Sequence, residues 1–173
     1  PNPLPLRMFD SPDIRDTDPL SAFLSALSRL REGETALLQL TVARAAEDWK
    51  DAAHQPISPD DPRAAHAHLV RDKLSLPGFR FVLHLVTQAP TQARLAQLER
   101  SLVEALQVFD SPVNRLEGGR PWWGGRRRLR AILERRTAPR RQILSSHELA
   151  TLFHLPNHRL ADIKNIAWGR SLP

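Results

Sequence analysis

Between Pro77-Gly78 and Ala89-Pro90 the chain alternates in the manner of an extended strand. Phe79, Phe81, Leu83 and Leu85 fall on one side, and Arg80, Val82, His84 and Val86 on the other. Such period-two alternation marks a strand. The second side is half apolar, which predicts a central strand with at least partial cover on both faces. A strand of this kind needs neighbours beside it and helices over it.

The flanking sequence supplies both. Residues 1–17 contain four prolines and no periodicity, and read as an extended lead-in. Asp18-Pro19 offers an N-cap and a first-turn proline. Leu20, Phe23, Leu24, Leu27 and Leu30 then recur at helical spacing up to Gly33, which is expected to stop the helix. Thr35 to Val42 reads as a strand with Ala36, Leu38, Leu40 and Val42 on its apolar face. Short helices are expected over 45–53, around Trp49, and over 63–74. After the central strand, Ala89-Pro90-Thr91 opens a long helix whose Leu95, Leu98, Leu102, Ala105, Leu106 and Phe109 form one stripe. Val113 to Leu116 reads as a short final strand. Strands separated by helices predict an α+β sandwich with helices on one face of a small sheet, ferredoxin-like in arrangement and closing near residue 117.

Composition removes several function classes. The 173 residues include no cysteine, which excludes a disulfide framework and Cys-ligated zinc or iron–sulfur sites. No apolar run approaches the roughly 18 residues of a membrane span. The Pro1-Asn2-Pro3 opening predicts no signal peptide, so a cytoplasmic location is expected. The seven glycines form neither a phosphate-binding G-x-x-x-x-G-K-[ST] loop nor a dinucleotide-binding G-x-G-x-x-G run. There is no G-x-S-x-G and no H-E-x-x-H. The acidic pairs Glu47-Asp48 and Asp60-Asp61 lie in polar stretches that would not shift a carboxylate pKa. His66 and His68 would diverge on a helix, and Pro156 separates His154 from His158, so no metal site and no cofactor are expected. Gly78-Phe79-Arg80-Phe81-Val82 resembles the aromatic strand of RNA-recognition modules. Arg80 and His84 stand where that motif wants small and aromatic residues, and the phenylalanines are expected in the core.

Charge is distributed unevenly. Arg120, Arg126, Arg127, Arg128, Arg130, Arg135, Arg136, Arg140 and Arg141 lie within 22 residues that hold one acid, Glu134. That window carries +8, so the net +6 of the chain leaves the other 151 residues at −2. Gly118-Gly119 and Gly124-Gly125 flank Pro121-Trp122-Trp123 as loop, and Arg126 to Arg136 has helical spacing with Leu129, Ile132 and Leu133 on one side. Arginine density beside Trp122 and Trp123 suits nucleic-acid backbone binding through charge and stacking. An acidic partner, lipid headgroups or a plain solvated linker are the competing readings.

Last comes Leu144-Ser-Ser-His-Glu-Leu-Ala-Thr-Leu-Phe-His-Leu-Pro156, a short helix with Ser145 and Glu148 at capping-box spacing. This stretch resembles a signature, roughly L-S-x-x-E-L-A-x-L-[WF]-H-x-P, found just upstream of the motor in conjugative DNA-transfer ATPases. These belong to the HerA/FtsK-like group, which includes the coupling proteins of type IV secretion. Trp168-Gly-Arg-Ser-Leu-Pro173 stands where that family's W-to-P stretch leads into the motor, one residue off its spacing. Asp18-Pro-Leu, Gly33-Glu34, Gln39-Leu40, Asp48-Trp49 and Lys73 to Val86 are similar to the same N-terminal regions.

The resemblance implies a four-part layout. A lead-in (1–17) precedes an α+β domain (18–117), an Arg-rich linker (118–143), and a connecting helix and tail (144–173). It implies a non-catalytic docking and assembly module, with the Walker motifs beyond Pro173. Glu148 would cap the connecting helix while Leu149, Leu152, Phe153 and Leu155 dock it against the sheet or the motor. The implied partners are DNA, further copies of the chain or its own motor, and a membrane-complex protein at the inner face of the membrane. The alternative from the residues alone is a stand-alone α+β nucleic-acid-binding domain.

Overall fold

The computed structural model describes residues 4–8, 18–46, 48–53, 62–119, 125–136, 138, 142–154, 160 and 163. Asp18 shapes the first turn: its Oδ1 accepts the Leu20 N–H at 2.9 Å and its carbonyl accepts the Ser21 N–H. The helix itself, α1 (Ser21–Leu27), ends before Gly33. Gly33 instead sits at φ 78° in the turn where the Glu34 N–H donates to Arg31 O at 3.0 Å. A left-handed residue there favours glycine, and the turn delivers the chain into β1 (Thr35–Arg44).

After β1 come α2 (Trp49–Ala53), a 3₁₀ turn over 62–66, and α3 (Ala67–Ser75). The alternating stretch is β2 (Gly78–Gln88). Next is α4 (Gln92–Leu106), capped by Thr91, whose Oγ1 accepts the Arg94 N–H at 3.2 Å. It tightens into a 3₁₀ turn over 107–109. The remaining elements are α5 (Gly125–Leu133), β3 (Ile143–Ser145) and α6 (Ser146–Leu152).

The three strands form one antiparallel sheet in the order β1-β2-β3, with β2 central as its two-sided pattern requires. The molecule is therefore α+β with a small antiparallel sheet. A ferredoxin-like sheet has four strands; the described residues form three, in sequence order. The strand expected over 113–116 is not formed. Ser111 and Asn114 take the backbone there into side-chain hydrogen bonds: Ser111 Oγ accepts from the Asn114 N–H at 3.0 Å, and Asp110 Oδ1 from the Leu116 N–H at 2.9 Å. The third strand is instead Ile143–Ser145, at the start of the segment expected as a connecting helix. Its pairing with β2 brings residues beyond 117 into the sheet. Ile163 to Trp168 also reads as a strand from the sequence; that stretch lies outside the described residues apart from position 163.

Alternation along the strands sorts the core into two clusters. Ala36, Leu38 and Leu40 with Phe81, Leu83 and Leu85 pack against Phe23, Leu98, Leu102, Leu106, Phe109, Leu144 and Leu152. Leu102 has no exposed surface, so the predicted α4 stripe lies at the centre. Ile143, one residue from Leu144 and so on the other side of β3, packs with Ala45, Trp49, Val70 and Leu74. Helices thus cover both faces of the sheet, not one. Among the described residues, no helix is long and apolar enough to cross a membrane.

Candidate functional site

Among the described residues of the cationic window, α5 carries a run of exposed charge. Within α5, Ile132 is buried, Arg128 is half-buried, and Arg126, Arg127 and Arg130 are exposed. At about 100° per residue, those three arginines lie on the side opposite Ile132. The helix is tied to the sheet through that inner side. Gln39 Nε2 donates to Ile132 O at 2.9 Å, and Gln39 pairs with His84 in the register, on the face away from the large core. Gln39 Oε1 is buried without a hydrogen-bond partner. Of Leu129, Ile132 and Leu133, expected on one side of the helix, only Ile132 is buried; Leu129 and Leu133 are 40% and 62% exposed and flank the arginine face.

The C-terminal turn of α5 adds two more arginines. The Glu134, Arg135 and Arg136 N–H groups donate to the carbonyls of Arg130, Ile132 and Ala131 at 2.9, 2.9 and 2.8 Å. This is the pattern of a left-handed C-cap. Arg135 holds it at φ 56°, where glycine is the usual residue. Glu134 lies between two guanidinium groups: Arg130 Nε is 3.9 Å from its Oε1, and Arg136 pairs with its Oε2. Arg127, Arg130, Ala131 and Arg136 line an open hollow of about 380 Å³. Arg120, Trp122, Trp123, Arg140 and Arg141 lie outside the described residues.

The connecting helix is built as the sequence predicts at its start. Ser145 Oγ accepts the Glu148 N–H at 3.3 Å, and Glu148 Oε2 accepts the Ser145 N–H at 2.7 Å, a complete capping box. Leu152 is buried and Leu149 half-buried in the large core, so both are used within this domain. Phe153 is 69% exposed at the end of the helix. Leu155 lies outside the described residues.

Sequence reading missed three polar pairs. Lys73 Nζ donates to Glu148 Oε1 at 3.1 Å, with both side chains buried. The signal was present in α3, where Lys73 shares helical spacing with the buried Val70 and Leu74. Burial pushes the Lys73 amine below its usual value, and the Glu148 carboxylate works in the opposite direction. Arg94 holds Glu34 in a fork, Nε to Oε1 at 2.6 Å and one terminal nitrogen to Oε2 at 2.9 Å. That hydrogen bonding holds the Glu34 carboxyl at about 2, below its ordinary 4.5. The ring nitrogens of His154 lie 3.0 Å from Thr151 O and 2.9 Å from Asp18 Oδ1, tying the end of α6 to the start of α1.

These pairs fasten elements together. Among the described residues, no group of three His, Asp or Glu side chains is placed to hold a metal ion. Two features that reach solvent among the described residues are the cationic face of α5 and the side chain of Phe153. No family model, curated protein or solved structure matches this chain, so the geometry and the sequence motif carry the functional reading.

Proposed function

We propose that this chain is a non-catalytic docking and assembly module of an oligomeric DNA-translocating or DNA-transfer ATPase, in which α5 meets the DNA backbone. The observation that carries the reading is the outer face of α5. Arg126, Arg127 and Arg130 project from a helix whose inner side is fastened by Ile132 and Gln39, so the charges sit on a fixed support. Arginines in this arrangement track phosphates and carry no base-reading pattern. The motor would supply the chemistry, with this domain at the cytoplasmic face of the membrane positioning its substrate. Phe153 and the chain after it would meet the motor or a neighbouring subunit. A stand-alone nucleic-acid-binding domain would share the arginine face, but it would leave the exposed Phe153 without a use.

The test is a fluorescence-anisotropy titration of a labelled oligonucleotide across a salt series. Two variants replace Arg126, Arg127 and Arg128, or Arg135 and Arg136, with glutamine. The wild type should lose affinity linearly on a log–log salt plot, and each arginine contact removed should flatten the slope by about one unit. Unchanged affinity and slope in both variants would sink the DNA reading. Sedimentation velocity on the same mixtures separates the two classes. Assembly beyond the monomer that Phe153→Ser weakens supports the docking module, and a monomer on every DNA supports the stand-alone domain.

A further inference from the structure

The window of arginines contains a single acid, and the fold pairs it with two of the arginines that line the hollow. We propose that the hollow lined by Arg127, Arg130, Ala131 and Arg136 seats one backbone phosphate of a nucleic acid, and that Glu134, paired beside it with two of the lining arginines, Arg130 and Arg136, acts as their internal counter-anion in the free protein. The proposal rests on the DNA-binding reading above and adds a defined seat and a built-in competitor to it.

Four observations support the seat. First, Glu134 already shows what the cluster binds. One of its carboxylate oxygens lies 3.9 Å from Arg130 Nε and the other pairs with Arg136, and guanidinium groups take phosphate oxygens as they take carboxylate oxygens. Secondly, these pairs are exposed: Arg130, Arg136 and Glu134 side chains are 78%, 69% and 43% accessible. Exposed pairs of this kind are weak and screened by salt, so a strand whose neighbouring phosphates also meet the other arginines of α5 displaces the carboxylate. Thirdly, the helix terminus does not oppose an anion as a bare one would. The carbonyls of Arg130, Ala131 and Ile132 are each taken by a backbone N–H of the capping turn. Fourthly, the turn is held in place. Arg135 adopts φ 56° to close it, and Ile132 O also accepts from Gln39 on the sheet.

The hollow, about 380 Å³, is at the small end of ligand sites, roughly 300–1,000 Å³, and suits a phosphodiester with its sugar better than a large molecule. It lies on the helix that carries Arg126 and Arg127, so a strand seated there continues onto further cations. In the free protein Glu134 neutralises part of this charge. On binding, its carboxylate is released to solvent as phosphate oxygens take over both guanidinium groups.

Glu134→Gln tests this in the full chain, with Glu117→Gln as a matched control. Glu117 is also exposed and paired with an arginine, Arg115, at 3.1 Å, so both variants change net charge equally. At about 50 mM salt, Glu134→Gln should tighten single-stranded or duplex DNA binding about threefold, the scale of an exposed ion pair removed as competitor. Glu117→Gln should leave affinity within experimental error. In an Arg130→Gln/Arg136→Gln background the Glu134→Gln gain should vanish. Equal effects of Glu134→Gln and Glu117→Gln, in a wild type that binds DNA, would overturn the seat and leave the broader reading intact. Absence of DNA binding in the wild type would overturn both. A larger Glu134→Gln gain on phosphatidylglycerol vesicles than on DNA would overturn the nucleic acid as the source of the phosphate.

Discussion

Gly78 opens β2 because Trp49 occupies the space a side chain would need. A Cβ at position 78 would lie 2.5 Å from Trp49 Cε2 and 2.8 Å from Cζ2. An indole is rigid and Trp49 is 7% exposed, so the ring has nowhere to move without disturbing Val70 and Leu74. Gly78 also bonds on both sides: its carbonyl accepts the Ala45 N–H at 2.9 Å, and it pairs with Ser145 of β3. Gly78→Ala should therefore cost about 1–3 kcal/mol, the usual penalty of overpacking a filled core. Urea denaturation followed by tryptophan fluorescence measures it. Trp49→Leu should remove much of that penalty by opening the space, and a full penalty in the double variant would show that the clash is not with the indole.

At the scale of elements, the junction between the Gly33 turn and α4 has a predictable pH response. Glu34 stands immediately before β1, and Arg94 projects from the first turn of α4 to grip both of its carboxylate oxygens. The Glu34 pKa is depressed from 4.5 to about 2. Folding thus favours the ionised form, and the pair's contribution is complete above pH 4.5 and lost as pH falls through about 2. Arg94→Gln should lower the denaturation midpoint near pH 6, and the gap to the wild type should close by about pH 2. A gap of constant size over that range would separate the effect from Glu34 ionisation. What was legible in the sequence follows the same division by range. The β2 alternation, the α4 stripe and the Ser145–Glu148 capping box are local patterns with known periods or spacings, and each is present in the fold. The three-residue β3 was not legible, because so short a strand is defined by its pairing with Gly78–Arg80 and not by its own pattern. Nor was the seat of α5: its spacing put Leu129, Ile132 and Leu133 on one side, while only Ile132 of the three reaches cover. Of the candidate site, the arginine density was plain from the sequence, but the fixed face it forms required the tertiary contact with Gln39.

Across the whole molecule, one buried ion pair joins segments that are far apart in the chain. Glu148 Oε1 accepts from Lys73 Nζ and from the Leu6 N–H at 2.7 Å, while Oε2 accepts from Ser145 N–H. Lys73 in turn reaches Leu4 O at 3.3 Å. The 4–8 segment is held further by Asn114 Nδ2 on Leu4 O, Ser111 Oγ on Pro5 O and the Arg7 N–H on Phe109 O. A lead-in read from its prolines as merely extended is thus laid across the body, with Leu6 in the large core. Replacing a buried pair by apolar residues can be neutral, but removing one partner strands the other charge. Glu148→Gln keeps the shape while turning an amide N–H₂ toward groups that are themselves donors. It should cost about 3–5 kcal/mol, the range for breaking a buried pair. The loss should be delocalised along these bonds: Leu6 amide hydrogen exchange should accelerate together with that of Ser145, although they lie at opposite ends of the sequence. Lys73→Met in the Glu148→Gln background should cost less than the sum of the two single changes, because the stranded charge is gone. Additive losses, or a Leu6 amide that stays protected, would mean that the capping box alone accounts for Glu148 and that the N-terminal segment is held independently of it.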